Sequence, residues 1–368
     1  MIYIHVPFCK SRCIYCDFFS TTRDADWQRR YVDALVREIK GRREEIVKAQ
    51  ADTIYIGGGT PSQLSAEALF RIFNALDEVC EGFALLEECT IEANPDDVTE
   101  DWAEALRETP VNRVSMGVQS LNDAMLKLIR RRHTATRALE AVATLRDKGY
   151  TNLSLDLMYG LPGQTLEEWE RDVKDIIAIG APHLSAYALQ VEEGTQLRRN
   201  VEDGTFVLPE EEETVAMYDS LMRLTAAAGF EHYEISNFAM PGFRAKHNSG
   251  YWCGKPYVGL GPGAHSYDGE RVRRCNIPNL ERYCEDDKPP FEQEILTDDE
   301  RYNESVLTRL RTSDGLDMSS LSEKERNHTL NIAKRHIESG RMSVKNGILR
   351  LNASGIFVSN DIISDFML

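Results

Sequence analysis

Cys9-Lys10-Ser11-Arg12-Cys13-Ile14-Tyr15-Cys16 sets three thiols at C-x3-C-x2-C spacing, directly after the apolar run Ile2–Val6. Thiolates are the usual ligands of iron–sulfur clusters. Three of them on one short loop can hold three irons of a cubane and leave the fourth iron open to a chelating small molecule. A zinc site is the competing chemistry; it would need a fourth ligand, for which His5 is available. Buried free thiols are a third reading.

Other residues could complete a ligand site. Ile56-Gly57-Gly58-Gly59-Thr60-Pro61 closes a second β-rich run. Its glycines let backbone approach a ligand and tolerate positive φ, which leaves amides and carbonyls free for an ammonium or carboxylate. Glu92, Gln119 and Asp156 each end a further β-rich run, and Arg131 lies twelve residues after Gln119. Glu92 or Asp156 alone could be a cap or an ion-pair partner. Four polar residues at successive strand ends of one sheet suit a shared ligand better, with Arg131 able to grip a carboxylate in bidentate fashion.

The elements that would position these residues alternate along the first half. Strands are expected at Ile2–Val6, Thr53–Gly57, Cys89–Ala93, Arg113–Val118, Asn152–Met158 and His183–Ala188. Helical periodicity covers Trp27–Lys48, Ala66–Val79 and Leu166–Ile179, with Ser65 and Thr99 as N-caps. This alternation implies a parallel sheet with right-handed crossovers. Six units within the first 190 residues are too few for an eight-unit barrel, so an α/β fold with an open, partial (β/α)6 barrel is expected, its function at the carboxyl ends of the strands. A helix at Glu210–Ala228 then leads into a Gly- and aromatic-rich stretch, and Asp287-Lys288-Pro289-Pro290 reads as a linker. The tail reads helix (Asp299–Arg311), helix (Glu323–Ser339), hairpin (Met342–Leu351, turning at Asn346-Gly347) and a final helix, a winged-helix-like α+β pattern. The expected division is residues 1–285 and 291–368.

Composition narrows the class. With 60 acidic against 43 basic residues the net charge is −17, which argues against general nucleic-acid binding and against adsorption to anionic membrane faces, leaving at most peripheral membrane contact. The opening residues lack a basic region followed by a long apolar run, so no signal peptide is expected. The eight cysteines are then expected reduced, in the cytoplasm.

The C-x3-C-x2-C spacing is the signature of the radical S-adenosylmethionine (SAM) superfamily, which the chain resembles from residue 1 to about residue 270. Almost end to end it further resembles the oxygen-independent coproporphyrinogen III oxidase family, beginning with Tyr3-Ile4-His5-Val6-Pro7-Phe8-Cys9. The resemblance implies a 4Fe–4S cluster on Cys9, Cys13 and Cys16, with SAM on its open iron. Reduction of the cluster by an electron donor would then cleave the sulfonium and release a 5′-deoxyadenosyl radical. It also implies that Tyr3 packs near the sulfonium, that Phe18 shields the cluster, and that Gly57, Gly58, Gly59 and Thr60 receive the SAM amino group. Glu92, Gln119, Arg131 and Asp156 match the remaining SAM ligands of the family.

The sequence departs from the oxidase in one motif. The oxidase carries a further cysteine two residues after the third, whereas here Cys16 is followed by Asp17-Phe18-Phe19 and no cysteine recurs before Cys80. The oxidase also has a longer N-terminal extension. The Cys-Asp-Phe form resembles the HemW branch, as does His247-Asn248-Ser249-Gly250-Tyr251-Trp252, a motif associated there with haem. A histidine can ligate haem iron and two aromatic rings can flank a porphyrin. Cys253 is a competing thiolate, and an aromatic core cluster is the plainer reading. Gly259–Ser266 also matches the family; its glycines are expected to close over SAM, with His265 as a hydrogen-bonder. The resemblance implies a haem chaperone that binds haem, SAM and a cluster and delivers haem to respiratory-chain apoproteins. The alternative is oxidative decarboxylation of coproporphyrinogen III.

Overall fold

The computed structural model describes residues 1–368. Its centre is a run of six parallel strands: β1 (Ile2–Val6), β2 (Thr53–Gly58), β3 (Glu88–Ala93), β4 (Arg113–Gln119), β5 (Leu153–Tyr159) and β6 (His183–Ala188). Helices cross between them, among them Ala66–Cys80 capped by Ser65 and Leu166–Ile179 opened by a Thr165–Glu168 capping box. The hairpin β7 (Glu231–Glu234) and β8 (Asn237–Ala239) adds antiparallel to β6, and β9 (Val258–Leu260) adds parallel to β1 at the opposite edge.

Strand alternation explains why this sheet can enclose a polar site. Successive side chains point to opposite faces. Ile4, Ile56, Ile91, Val114, Leu155 and Leu184 face the helices and belong to one continuous core. The other set is polar, and the register aligns it across the sheet: Glu92 lies beside Ser115, Gly117 beside Asp156, and Asp156 beside Ser185. A parallel sheet buried on both faces normally reads as continuous hydrophobics. Here one face is given over to hydrogen-bonding groups.

Three expectations are corrected. Trp27–Lys48 is not one helix but two, Ala25–Gly41 and Arg43–Ala49. The break falls at Arg42, whose buried guanidinium turns inward to Glu38 at 3.2 Å and to the Gly259 carbonyl at 2.6 Å. The stretch after Pro290 does not open the tail directly. Phe291–Ile295 forms β12, which pairs with β11 (Val272–Asn276), itself paired with β10 (His265–Tyr267). The final helix is two short pieces, Ala353–Ile356 and Ser359–Asp365.

Beyond β12 the chain builds a second core of its own from Tyr302, Val306, Leu349, Phe366 and their neighbours. Helices Asp298–Arg309 and Glu323–Glu338 pack with a small sheet of β13 (Leu316–Asp317), β14 (Met342–Lys345) and β15 (Ile348–Leu351). The β14–β15 turn uses Asn346 and Gly347, both at positive φ, as an Asn-Gly hairpin requires. The fold is thus a mixed α/β partial barrel with a separate small antiparallel unit. No helix is long and apolar enough to cross a membrane.

Candidate functional site

The carboxyl ends of β1 to β6 surround a cavity of about 670 Å³. Cys9, Cys13 and Cys16 form one wall, Gly58, Gly59 and Thr60 a second, and Glu92, Gln119, Arg131 and Asp156 the remainder. With Phe18, eleven of the residues singled out from the sequence therefore share one space, although they are spread over some 150 residues of chain.

The thiols are held by short-range contacts. Cys9 accepts a hydrogen bond from the Thr60 hydroxyl at 3.3 Å, and Cys13 lies 3.6 Å from an Arg131 nitrogen. Burial raises the Cys9 thiol above its ordinary value and pushes Cys16 up to about 11, so a bound metal must supply the charge that stabilises the thiolates. No three histidine, cysteine or acidic side chains converge closely enough to hold a single metal ion. Three thiols on one wall would suit an iron–sulfur cubane. His5 is not free to act as a fourth zinc ligand. Its Nε2 donates to the Phe19 carbonyl at 2.8 Å and its Nδ1 accepts from the Tyr3 hydroxyl at 3.1 Å.

The three glycines are demanded by space. A Cβ on Gly57 would lie 2.9 Å from the Glu92 carboxylate, one on Gly58 2.5 Å from the His5 ring, and one on Gly59 2.8 Å from the Val6 and Phe8 carbonyls. Gly58 also adopts φ +108°, which favours glycine.

Glu92 accepts from the Tyr55 hydroxyl at 2.7 Å and from the Gly58 amide at 3.1 Å. Burial nevertheless raises it to about 7, with the nearby Asp156 adding to the shift. Asp156 is raised by burial to about 6, against hydrogen bonds from Ser185, Ser115 and Ser154 that favour its charged form. Both carboxylates are thus held short of full charge compensation, as a polar or cationic ligand could provide. Arg131 donates to the Gly117 carbonyl, while its buried Nε has no partner. Gln119 sits at φ +68° beside a bulge between β4 and β5. A left-handed non-glycine residue costs about 1–2 kcal/mol, and here it turns the side chain into the cavity.

A second, larger cleft of about 1330 Å³ opens beside the first, between the barrel and the C-terminal unit. The two share Phe18, Gly58 and Glu92, and Phe18 is 62% exposed at the junction. Tyr3 faces this cleft rather than the thiol cavity, as do Tyr251 and Trp252.

His247 does not face it. The side chain is fully buried, with Nδ1 hydrogen-bonded to Thr53 at 2.9 Å and Nε2 to the Tyr251 hydroxyl at 3.0 Å. Burial pushes it down to about 3, so it is neutral at any ordinary pH. Its place is behind Tyr251, whose ring it meets edge-on at 5.0 Å. Cys253 is exposed in the cleft, with an Arg309 nitrogen 3.3 Å from its sulfur. His265 is exposed on β10 and lies 3.4 Å from the Cys275 sulfur.

The sequence reading missed several cavity residues. Arg113 is 2% exposed, lines the cavity with Glu92 and Asp156, and leaves Nε without a partner. Ser115, Ser185 and Asn248 line it too. The signal for Arg113 and Ser115 was alternation: they precede Gly117 by four and two residues on the same strand face. Asn248 carried no such signal, since it reaches the cavity from a helix outside the parallel run.

Comparison with known proteins agrees with this geometry. The radical SAM superfamily profile matches residues 3–176. "Heme chaperone HemW" of Lactococcus lactis is 36% identical over 324 residues, covering 88% of this chain and 84% of that protein. The Bacillus subtilis protein of the same name is also 36% identical, over 88% and 86%. Among solved structures, coproporphyrinogen III oxidase (HemN) from Escherichia coli superposes with TM-score 0.86 over 99% of this chain and 89% of that one, at 23% identity, which shows a shared fold. The chain belongs to the HemW family of the radical SAM superfamily.

Proposed function

We propose that this chain is a haem chaperone that holds a 4Fe–4S cluster on Cys9, Cys13 and Cys16, binds SAM in the adjoining cavity and carries haem in the larger cleft. Delivery would be to haem-accepting respiratory apoproteins in the cytoplasm, with a separate electron donor serving the cluster. The observation that carries the reading is the pair of connected cavities. One has three thiols and unsatisfied polar groups, and the other has aromatic walls and enough room for a tetrapyrrole.

Each residue has a definite task. Arg131 would leave the Gly117 carbonyl to clasp the SAM carboxylate, while Gly58–Thr60 receive its ammonium and Glu92, Gln119 and Asp156 its remaining polar groups. SAM on a reducible cluster supplies radical chemistry when both are bound. Phe18, at the junction, separates that chemistry from the cargo. Tyr251 and Trp252 would flank the porphyrin. His247, with both nitrogens engaged, holds Tyr251 in place, so the iron ligand is sought on the cleft surface, where Cys253 lies.

A second reading is favoured by the shared boundary of the two cavities. A ligand in the cleft could reach the SAM cavity past Phe18, as oxidative decarboxylation of coproporphyrinogen III would need.

Anaerobic titration of cluster-loaded chain with haem tests the first reading. Binding should saturate at one site with a stable Soret band, and His247→Ala should leave the band's position unchanged. Non-saturating binding would contradict the cargo cleft. A Soret shift in His247→Ala, with the fold intact, would restore the imidazole as ligand.

A further inference from the structure

We propose that Arg309 anchors a peripheral carboxylate of the ligand carried in the cleft; this rests on the reading of that cleft as a tetrapyrrole site. Five arginine and lysine side chains line the cleft, and four of them already face a carboxylate. Lys255 pairs with Asp52 at 2.8 Å, Arg273 with Glu304 at 2.7 Å, Lys324 with Asp299 at 3.6 Å, and Arg301 reaches Asp298 at 4.0 Å. Arg309 has no acidic partner. Its two terminal nitrogens donate instead to the Cys253 sulfur at 3.3 Å and to the Cys253 carbonyl at 3.1 Å.

Its placement fits the task. Arg309 ends helix Asp298–Arg309 of the C-terminal unit and reaches across to the end of helix Lys246–Trp252 on the barrel side. Its guanidinium is therefore held at Cys253, the residue after Trp252, in the same cleft, where the edge of a flat ligand stacked on the Trp252 ring would come. A planar guanidinium offers two parallel N–H donors to a carboxylate, and such charge-assisted pairs are stronger than neutral contacts. The carbonyl and thiol it now holds are weaker partners, exchangeable for a carboxylate when ligand enters. The C-terminal unit then contributes directly to cargo recognition.

Haem and haem dimethyl ester, which lacks the free carboxylates, separate the possibilities when titrated under identical conditions into the cluster-loaded, full-length chain. The ester should bind at least about tenfold more weakly than haem. Arg309→Gln should bring haem down to the level of the ester, and Arg309→Lys should recover part of the preference. Equal binding of haem and ester by the natural chain, or full preference retained in Arg309→Gln, would overturn the anchor and leave the cleft as the haem site. If haem binding is not saturable, or Trp252→Ala leaves it unchanged, the cleft reading fails and the anchor falls with it. Should Arg309→Gln not fold, the ester comparison on the natural chain decides alone.

Discussion

The thiol cavity and the cleft beside it share three residues but hold their polar groups in opposite ways. In the cavity, Glu92, Ser115 and Asp156 stand on adjacent strands of one parallel sheet, in fixed register, and the buried Nε atoms of Arg113 and Arg131 are left without partners. In the cleft the cations come from two separately cored parts of the chain and are mostly neutralised by half-buried carboxylates, as in the Arg273–Glu304 and Lys255–Asp52 pairs. Such pairs are individually worth only about 0–1 kcal/mol and weaken with salt. The cavity is preorganised for one ligand; the cleft is an adjustable surface between two bodies. That difference suits a protein that must keep one cofactor and release another molecule.

The comparison can be broken first at the thiols. Cys9→Ala, Cys13→Ala or Cys16→Ala should each abolish the brown, violet-edge absorption of anaerobically reconstituted protein. A variant with Cys80→Ser, Cys275→Ser, Cys284→Ser and Cys89→Ala should keep it; alanine is used at Cys89 because that side chain is fully buried and a hydroxyl there would lack a partner. Loss of the cluster in that fourfold variant would overturn the ligand assignment.

A smaller effect is expected at Arg131. Arg131→Ala should lower SAM affinity at least about tenfold, the loss of a charge-assisted bidentate contact worth about 1.5–3 kcal/mol. Cluster absorption should be unchanged, and cleft binding of haem should be unaffected. Unaltered SAM affinity in a folded variant would make Arg131 structural.

A third effect is a stability slope. In the folded chain Glu92 is raised from 4.5 to about 7 and Asp156 from 3.8 to about 6, both by burial. Between the ordinary and the raised values the folded chain keeps protons that the unfolded chain has released. Ligand-free stability should therefore fall as pH rises through roughly 4 to 7. Glu92→Gln should remove its share of that slope, about 3 kcal/mol across the window. An unchanged pH profile of chemical denaturation would show that the carboxylate is not buried as described.

How much of this was legible in the sequence follows from the same contrast. The six parallel strands and their helices were readable because apolar runs and caps repeat at regular spacing. The thiol cavity was readable because its residues sit at strand ends. The break at Arg42 was hidden, since helical periodicity continues through it while a tertiary contact with Gly259 decides the geometry. Strand β12 was hidden behind Pro289-Pro290 because every one of its residues is exposed and its pattern carries no buried face. His247 illustrates the limit for sites. Tyr251 and Trp252 of the motif line the cleft, but only the packing against Thr53 and Tyr55 reveals that the imidazole points away from it.

The central claim, a haem-carrying radical SAM chaperone, is tested most directly by product analysis. Anaerobic, cluster-loaded protein with SAM and a reductant is incubated separately with haem and with coproporphyrinogen III. The account predicts a stoichiometric haem complex and unchanged coproporphyrinogen. Multiple-turnover formation of protoporphyrinogen would contradict it and establish the decarboxylating enzyme instead.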